Sequence, residues 1–282
     1  MNLATLRSFK PQILAIAALL VVAACTAPTT SNPAVGRDEM AKEMDLQARA
    51  AKQAPINFNE KKPYGSRQVE ALAGRLAPVA ARVSRAAGAL CNDLQPGDPA
   101  HCQFQVILNP HERGLNAHAD GQNVVIYPAM VDFARNDTHL AFVIAHEFAH
   151  NIMHHVDAQK QNATVGTLLG AVADIAAGAG GVNTQGAFGK IGQAQGIQHY
   201  SSAFEAEADY VGLYILARAG FPIEQAPDFW RMMSQAEPDA IYISQSHPNN
   251  PSRTIAMTKT IAEIRAKQRA RQPLIPNIKP TE

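Results

Sequence analysis

Two histidines and a glutamate stand together in the run His146-Glu147-Phe148-Ala149-His150. Four residues is just over one turn of an α-helix. The two imidazoles therefore sit about 40° apart on one helix face, where they can grip one Zn2+. Glu147 lies beside them and can take a proton from a metal-polarised water. The chemistry composed by these three groups is metal-assisted hydrolysis. A buried helix does not host two imidazoles and a carboxylate without partners, because unpaired burial of such groups is expensive.

Two ligands leave a zinc site incomplete; catalytic sites use three protein ligands and a water. His154 lies one turn further along. Three ligands in a line on one helix cannot surround a tetrahedral ion. A longer pattern with a third histidine at the position of Val156 and a glycine at Met153 is not met. A second helix must supply the ligand, and Glu205-Ala206-Glu207-Ala208-Asp209 can do so. Glu205 and Asp209 share a face, four residues apart. Glu205 can bind the metal while Asp209 accepts the ring N–H of a liganding histidine. Glu207 falls on the opposite side, where a solvated or structural role is expected.

These groups need rigid elements to hold them. Apolar residues at Val69, Leu72, Leu76, Val79, Val83, Ala87 and Leu90 have helical spacing, mildly broken by Pro78. Strand-like runs follow at Cys102–Leu108 and Asn123–Tyr127. Asp120-Gly121 marks a turn before the second, so a small antiparallel sheet is expected. Asp137 or Thr138 is the expected cap of an apolar helix reaching about Val156. Residues 163–198 are rich in Gly and Ala, with Asp174 interrupting the apolar part. Small-residue helix packing plus a flexible loop is the reading preferred over a lid or a membrane-leaning hairpin. A helix from about Ser201 to Ala219 stops at Gly220, with Pro222 beyond. Pro227 opens a short helix, and Asn250-Pro251 opens a last one reaching roughly Arg271.

His146-Glu147-Phe148-Ala149-His150, followed some fifty residues on by Glu205-Ala206-Glu207-Ala208-Asp209, resembles the gluzincin metallopeptidases of the HtpX and CAAX-prenyl-endopeptidase type. The match takes in Asn116-Ala117-His118-Ala119, Tyr200-Ser201, Ala226-Pro227-Asp228-Phe229-Trp230, His247-Pro248 and Arg253. It covers roughly residues 65–260 and is to the soluble, lipoprotein-type members. The resemblance implies an α+β fold: a mostly helical zincin-like domain with a small antiparallel sheet. It implies His146, His150 and Glu205 as ligands of one Zn2+ per chain. Glu147 would be the general base, and Asp209 would orient a ligand. It implies an edge strand near Asn116–Ala119 on which an extended or unfolded polypeptide lies. His247 would donate to the oxyanion or close the zinc site at rest, and Arg253 would pair with a helix carboxylate. Ser202 stands where an arginine is frequent, so no ion pair is expected there. His154 and His155 are expected behind the ligands or on the surface.

The first residues read as a targeting segment. Arg7 and Lys10 precede the apolar run Ile13–Val22 and then Ala23-Ala24-Cys25. That is a basic region, a short apolar core and small residues at a cleavage point. Val22-Ala23-Ala24-Cys25 resembles a bacterial lipobox, which implies lipid on Cys25. Thr26 rather than aspartate next to it favours the outer membrane. Export places Cys91 and Cys102 in an oxidising compartment, where a disulfide is expected. The expected organisation is a signal peptide at 1–24, a flexible tether at 25–62 with one short helix near Asp38–Gln53, a peptidase domain at 63–265 and a loose tail at 266–282.

A formal net charge of +1 gives no field to steer nucleic acid, and no basic stripe with aromatics occurs. The whole reading is a zinc endopeptidase on the periplasmic face of the outer membrane. It would degrade misfolded or misassembled envelope proteins and work beside the envelope assembly machinery. The competing reading is a zinc-binding lipoprotein with a chaperone-like role; an intact Glu147 speaks against it.

Overall fold

The computed structural model describes residues 26–53, 56, 58–59, 62–236 and 251–279. In chain order the elements are helices α1 (Arg37–Gln53) and α2 (Ser66–Leu94), then strands β1 (Gln105–Leu108), β2 (Ala117–Ala119) and β3 (Asn123–Ile126). Helices α3 (Pro128–Phe133), α4 (Asp137–Ile152), α5 (His155–Ala179) and α6 (Ala187–Arg218) follow. A 3-10 turn at Ile223–Gln225 leads into α7 (Ala226–Ala236) and then α8 (Pro251–Arg269). The class is the expected mostly helical α+β.

The sheet has the order β1-β3-β2. The expected hairpin joins β2 to β3, antiparallel, with His118 opposite Val125. Asp120 Oδ1 accepts the Gln122 and Asn123 backbone N–H groups and sets the turn. β1 pairs with the far side of β3 and runs parallel to it, Val106 opposite Val124. The sheet is therefore mixed rather than antiparallel throughout. β2 takes one edge because the hairpin folds it away from β1.

α4 starts one residue earlier than expected. Asn136 is its cap, its side chain accepting the His139 N–H at 2.9 Å. It also ends earlier, at Ile152. His154 adopts φ of +56°, a left-handed turn that breaks the helix before α5 begins. α2 runs through Pro78 and buries Leu76, Val79, Val83, Ala87 and Leu90 on one face. Cys91, near its end, is bridged to Cys102 with Cα atoms 5.5 Å apart.

The chain divides into two compact units, one of Met1–Ala27 with Asp157–Ser201 and one of Pro28–Val156 with Ser202–Glu282. In the larger unit the core is built on α4, buried along its whole length after Asp137. Phe142, Phe148, Phe204, Tyr210, Tyr214 and Phe229 are the largest fully buried side chains among the described residues of this unit. Residues 28–53 lie in this unit and are packed, which departs from a flexible tether. Glu43 and Gln47 of α1 are buried; Gln47 donates to Thr254 Oγ1 of α8, and Arg231 of α7 reaches Glu43 at 3.1 Å. The tail is seated too: Asn277 donates its N–H to Tyr210 Oη, and Thr30 pairs with Ile278.

In the smaller unit, α5 and the first half of α6 form a hairpin closed by glycines. A Cβ on Gly166 would lie 2.0 Å from Gly192 O, and one on Gly170 would lie 1.9 Å from Phe188 O. Asp174, polar in an apolar stretch, accepts the Phe188 and Gly189 N–H groups and caps α6. Small-residue packing is what the structure shows for most of 163–198, with two continuous helices rather than a long loop.

Candidate active site

Two helices carry the polar cluster, and their backbones nearly touch. A Cβ on Gly212 would sit 3.2 Å from His146 N and Cα. Without that atom α6 can approach α4, and Glu205 and Asp209, two turns and one turn before Gly212, reach the histidines.

His146 Nε2 and His150 Nε2 are 3.1 Å apart. Glu205 places Oε2 3.3 Å from the first and Oε1 3.2 Å from the second. All three side chains are buried. Zinc bonds of about 2.0–2.1 Å at tetrahedral angles put ligand atoms roughly 3.3 Å apart, so the spacing fits one ion. Two imidazoles and one carboxylate are also the donor set of a recognised class of catalytic zinc site. Glu147, next to His146 on α4, is buried with them.

The outer faces of the rings are held as well. His146 Nδ1 faces Asp209 Oδ1 at 3.0 Å. Arg253, from the first turn of α8, donates Nε to Asp209 Oδ2 at 2.6 Å and Nη2 to Oδ1 at 2.9 Å. Its Nη1 lies 3.0 Å from Glu205 Oε2. The guanidinium stacks 4.0 Å above the Trp230 ring, whose Nε1–H donates to Asp209 Oδ1. One buried cation thus spans Glu205 and Asp209 and fixes their relative position. Burial pushes the Asp209 carboxyl up, but Arg253 and His146 more than reverse this and hold it below the usual carboxylate range.

His150 is braced differently. Its Nδ1 is 2.9 Å from His155 Nδ1, and His155 Nε2 is 2.8 Å from Glu207 Oε2. Glu207 Oε1 accepts the N–H groups of Thr29 at 2.7 Å and Thr30 at 2.5 Å. Burial pulls the His150 imidazole down to about 4, so it is neutral and its Nε2 lone pair is available. For His146, burial is outweighed by the Asp209 and Glu205 carboxylates, and its affinity for a proton rises.

Of the residues singled out from sequence, the structure brings His146, Glu147, His150, Glu205, Asp209 and Arg253 together. His247 and Cys25 lie outside the described residues. His154 is exposed, stacked on His101 at 4.3 Å between ring centroids, away from the cluster because of the left-handed turn. Glu207 does lie on the far side of α6 from Glu205, but that side is covered and the carboxylate is buried. Sequence reasoning placed Trp230 only in a family-like helix start, with no role in the site, and missed Gly212 and Asn151. Asn151 follows His150 directly; its amide accepts the Gly121 N–H and donates to Asn123 O, tying the β2–β3 turn to the site helix.

The sequence profile of peptidase family M48 matches residues 75–261, which contain every described member of the cluster except the Thr29–Thr30 amides. The chain belongs to peptidase family M48. Its relatives include the mitochondrial metalloendopeptidase OMA1 of Saccharomyces cerevisiae, 32% identical over 117 residues, 42% of this chain and 32% of the relative. The beta-barrel assembly-enhancing protease of Escherichia coli O157:H7 is 32% identical over 134 residues, 43% of this chain and 27% of the relative. The matched stretch thus spans about a third or less of these curated relatives. M48 membership implies a metal, and His146, His150 and Glu205 are, among the described residues, a group of side chains that could hold one.

Proposed function

We propose that this M48 protein is a zinc-dependent endopeptidase of the bacterial envelope, anchored by lipid on Cys25, that cleaves unfolded or misassembled polypeptides. The observation that carries the reading is the buried triangle of His146 Nε2, His150 Nε2 and Glu205, with edges of 3.1–3.3 Å. An ion held there supplies Lewis acidity to a peptide carbonyl and to water.

The chain's own residues do the rest. Glu147 takes a proton from the attacking water on its carboxylate and delivers it to the leaving amine nitrogen. Asp209 and Arg253 keep His146 and Glu205 in place through the change of charge. β2 is an edge strand of the sheet, and its turn is tied to the site helix through Asn151; a substrate segment pairing with it would lie extended along α4. Apolar burial around the cluster, from Phe142 and Trp230, limits water at the reacting centre. The envelope substrate class rests on the leader, on Cys25 and on the name of the Escherichia coli relative. His247 serves as oxyanion donor or as a resting cap, and activity of His247→Ala separates the two, falling in the first case and rising in the second.

The test is cleavage of casein and of an unfolded outer-membrane β-barrel protein by the zinc-loaded mature chain and by Glu147→Gln. The variant should keep its zinc and lose about 10²–10⁴-fold in rate, the usual worth of a positioned acid–base group. Wild-type cleavage by Glu147→Gln would sink the assignment of Glu147 as the base, whereas a zinc-loaded parent chain that cleaves neither substrate would leave a zinc-binding, chaperone-like lipoprotein.

A further inference from the structure

The brace behind His150 begins outside the motif region, at the N-terminal end of the described chain. We infer that Glu207 and His155, clamped by the backbone of Thr29 and Thr30, form a positioning chain for the metal ligand His150, so that seating of residues 28–31 sets the geometry of the metal site. This rests on the metallopeptidase reading above and goes beyond it.

Hydrogen-bond direction leaves one arrangement. A metal on His150 Nε2 requires the ring's proton on Nδ1. That Nδ1–H donates to His155 Nδ1, 2.9 Å away, which must then be an acceptor. His155 therefore carries its proton on Nε2 and donates it to Glu207 Oε2 at 2.8 Å. Glu207 is left with Oε1, and two backbone N–H groups fill it. The two histidine donations run away from the metal and end on Glu207, which is held from its other side by backbone N–H donors that have no alternative tautomer.

The chain is also sterically fixed. The Phe204 ring stacks on His155 at 4.5 Å between centroids. His155, Glu207 and Thr30 are all buried. Thr30 is held from the other side: Ser31 donates to Asn277 O and Lys279 to Thr29 O, each at 2.8 Å, closing a two-strand clasp between residues 29–31 and 277–279. Unseating that clasp would leave a buried carboxylate with only the His155 Nε2–H donating to it. Glu207 would then draw on its one remaining donor and turn His155, and through it His150. Cys25 lies four residues before Thr29. The lipid proposed on Cys25 would therefore join the chain four residues before the brace.

The clamp is carried by the backbone amides of Thr29 and Thr30; Thr30 Oγ1 lies near the Glu207 carboxylate but makes no hydrogen bond of good geometry. This supplies matched variants of the full mature chain: Glu207→Gln, His155→Gln and Thr30→Pro break the chain, whereas Thr30→Val keeps the amide. Two readouts are taken: the rate of zinc release to a chelator, and the visible absorption of the Co2+-substituted protein. The expected result is a zinc affinity 10- to 100-fold lower in the three breaking variants, the usual effect of removing a group that orients a ligand, with shifted Co2+ bands. Thr30→Val should match the parent. Parental zinc release and parental Co2+ spectra in Glu207→Gln and His155→Gln would overturn the inference, whatever Thr30→Pro does to folding. A parent chain that takes up no zinc would instead overturn the metal reading itself, and this inference with it.

Discussion

Asp209 is the residue on which the second half of the site turns. It receives Arg253 through two nitrogens, Trp230 through one, and faces His146 Nδ1, so a single carboxylate sets the tautomer and tilt of one ligand. Asp209→Asn keeps the shape but replaces one acceptor with a donor and leaves the buried guanidinium short of a counter-charge. Zinc affinity of Asp209→Asn should fall 10- to 100-fold, measured by chelator competition. An unchanged affinity would show that Asp209 does not orient His146. The pairing of Glu205 with Asp209 is legible in sequence because four residues bring both to one helix face. The burial of Glu207 is not legible. The same periodicity correctly sends it to the other face, but only the tertiary structure reveals that residues 28–31 cover that face.

The elements show the same division. The long helices α2 and α4 follow from apolar spacing, the second half of α6 from the run that stops at Gly220, and the β2–β3 hairpin from Asp120-Gly121; the first half of α6 does not. The end of α4 does not, because an apolar pattern continues through Val156 while the backbone turns left-handed at His154. The expected sheet is antiparallel; β1 instead runs parallel to β3, since strand order and direction depend on what covers the sheet. Gly212 looks like an ordinary mid-helix glycine, a cost of about 1 kcal/mol with no visible reason. Its reason is the contact with His146. Gly212→Val should force α6 away from α4 and carry Glu205 and Asp209 with it. Loss of stoichiometric zinc from the folded variant is the expected outcome, with circular dichroism confirming retained helix. A variant that binds zinc like the parent would show that the close approach is not what sets the triangle.

On the scale of the molecule, both ends of the described chain are tied to the larger unit near the site. Residues 29–31 clamp Glu207, and Asn277 reaches Tyr210, the residue after Asp209. A reading by composition makes both ends loose because they are rich in Pro, Thr and Asn; hydrogen bonding to specific partners overrides that tendency. The Cys91–Cys102 bridge closes a short loop between α2 and β1 that contains no residue of the cluster. In the chain-entropy account it stabilises the fold by about 3 kcal/mol. Reduction or Cys91→Ala/Cys102→Ala should lower the melting temperature by roughly 5–10 °C and leave cleavage at 25 °C nearly unchanged. A melting temperature that does not move would mean that the bridge does not constrain the unfolded chain.

The central claim is that His146, His150 and Glu205 hold one zinc with a fourth position open to water. Zinc content combined with zinc K-edge absorption of the purified mature chain addresses it directly. About one zinc per chain is expected, bound only by nitrogen and oxygen at about 2.0–2.1 Å, with two imidazoles, or three where His247 caps the site at rest. A shell containing sulfur, or a chain that purifies and reconstitutes without zinc, would contradict it.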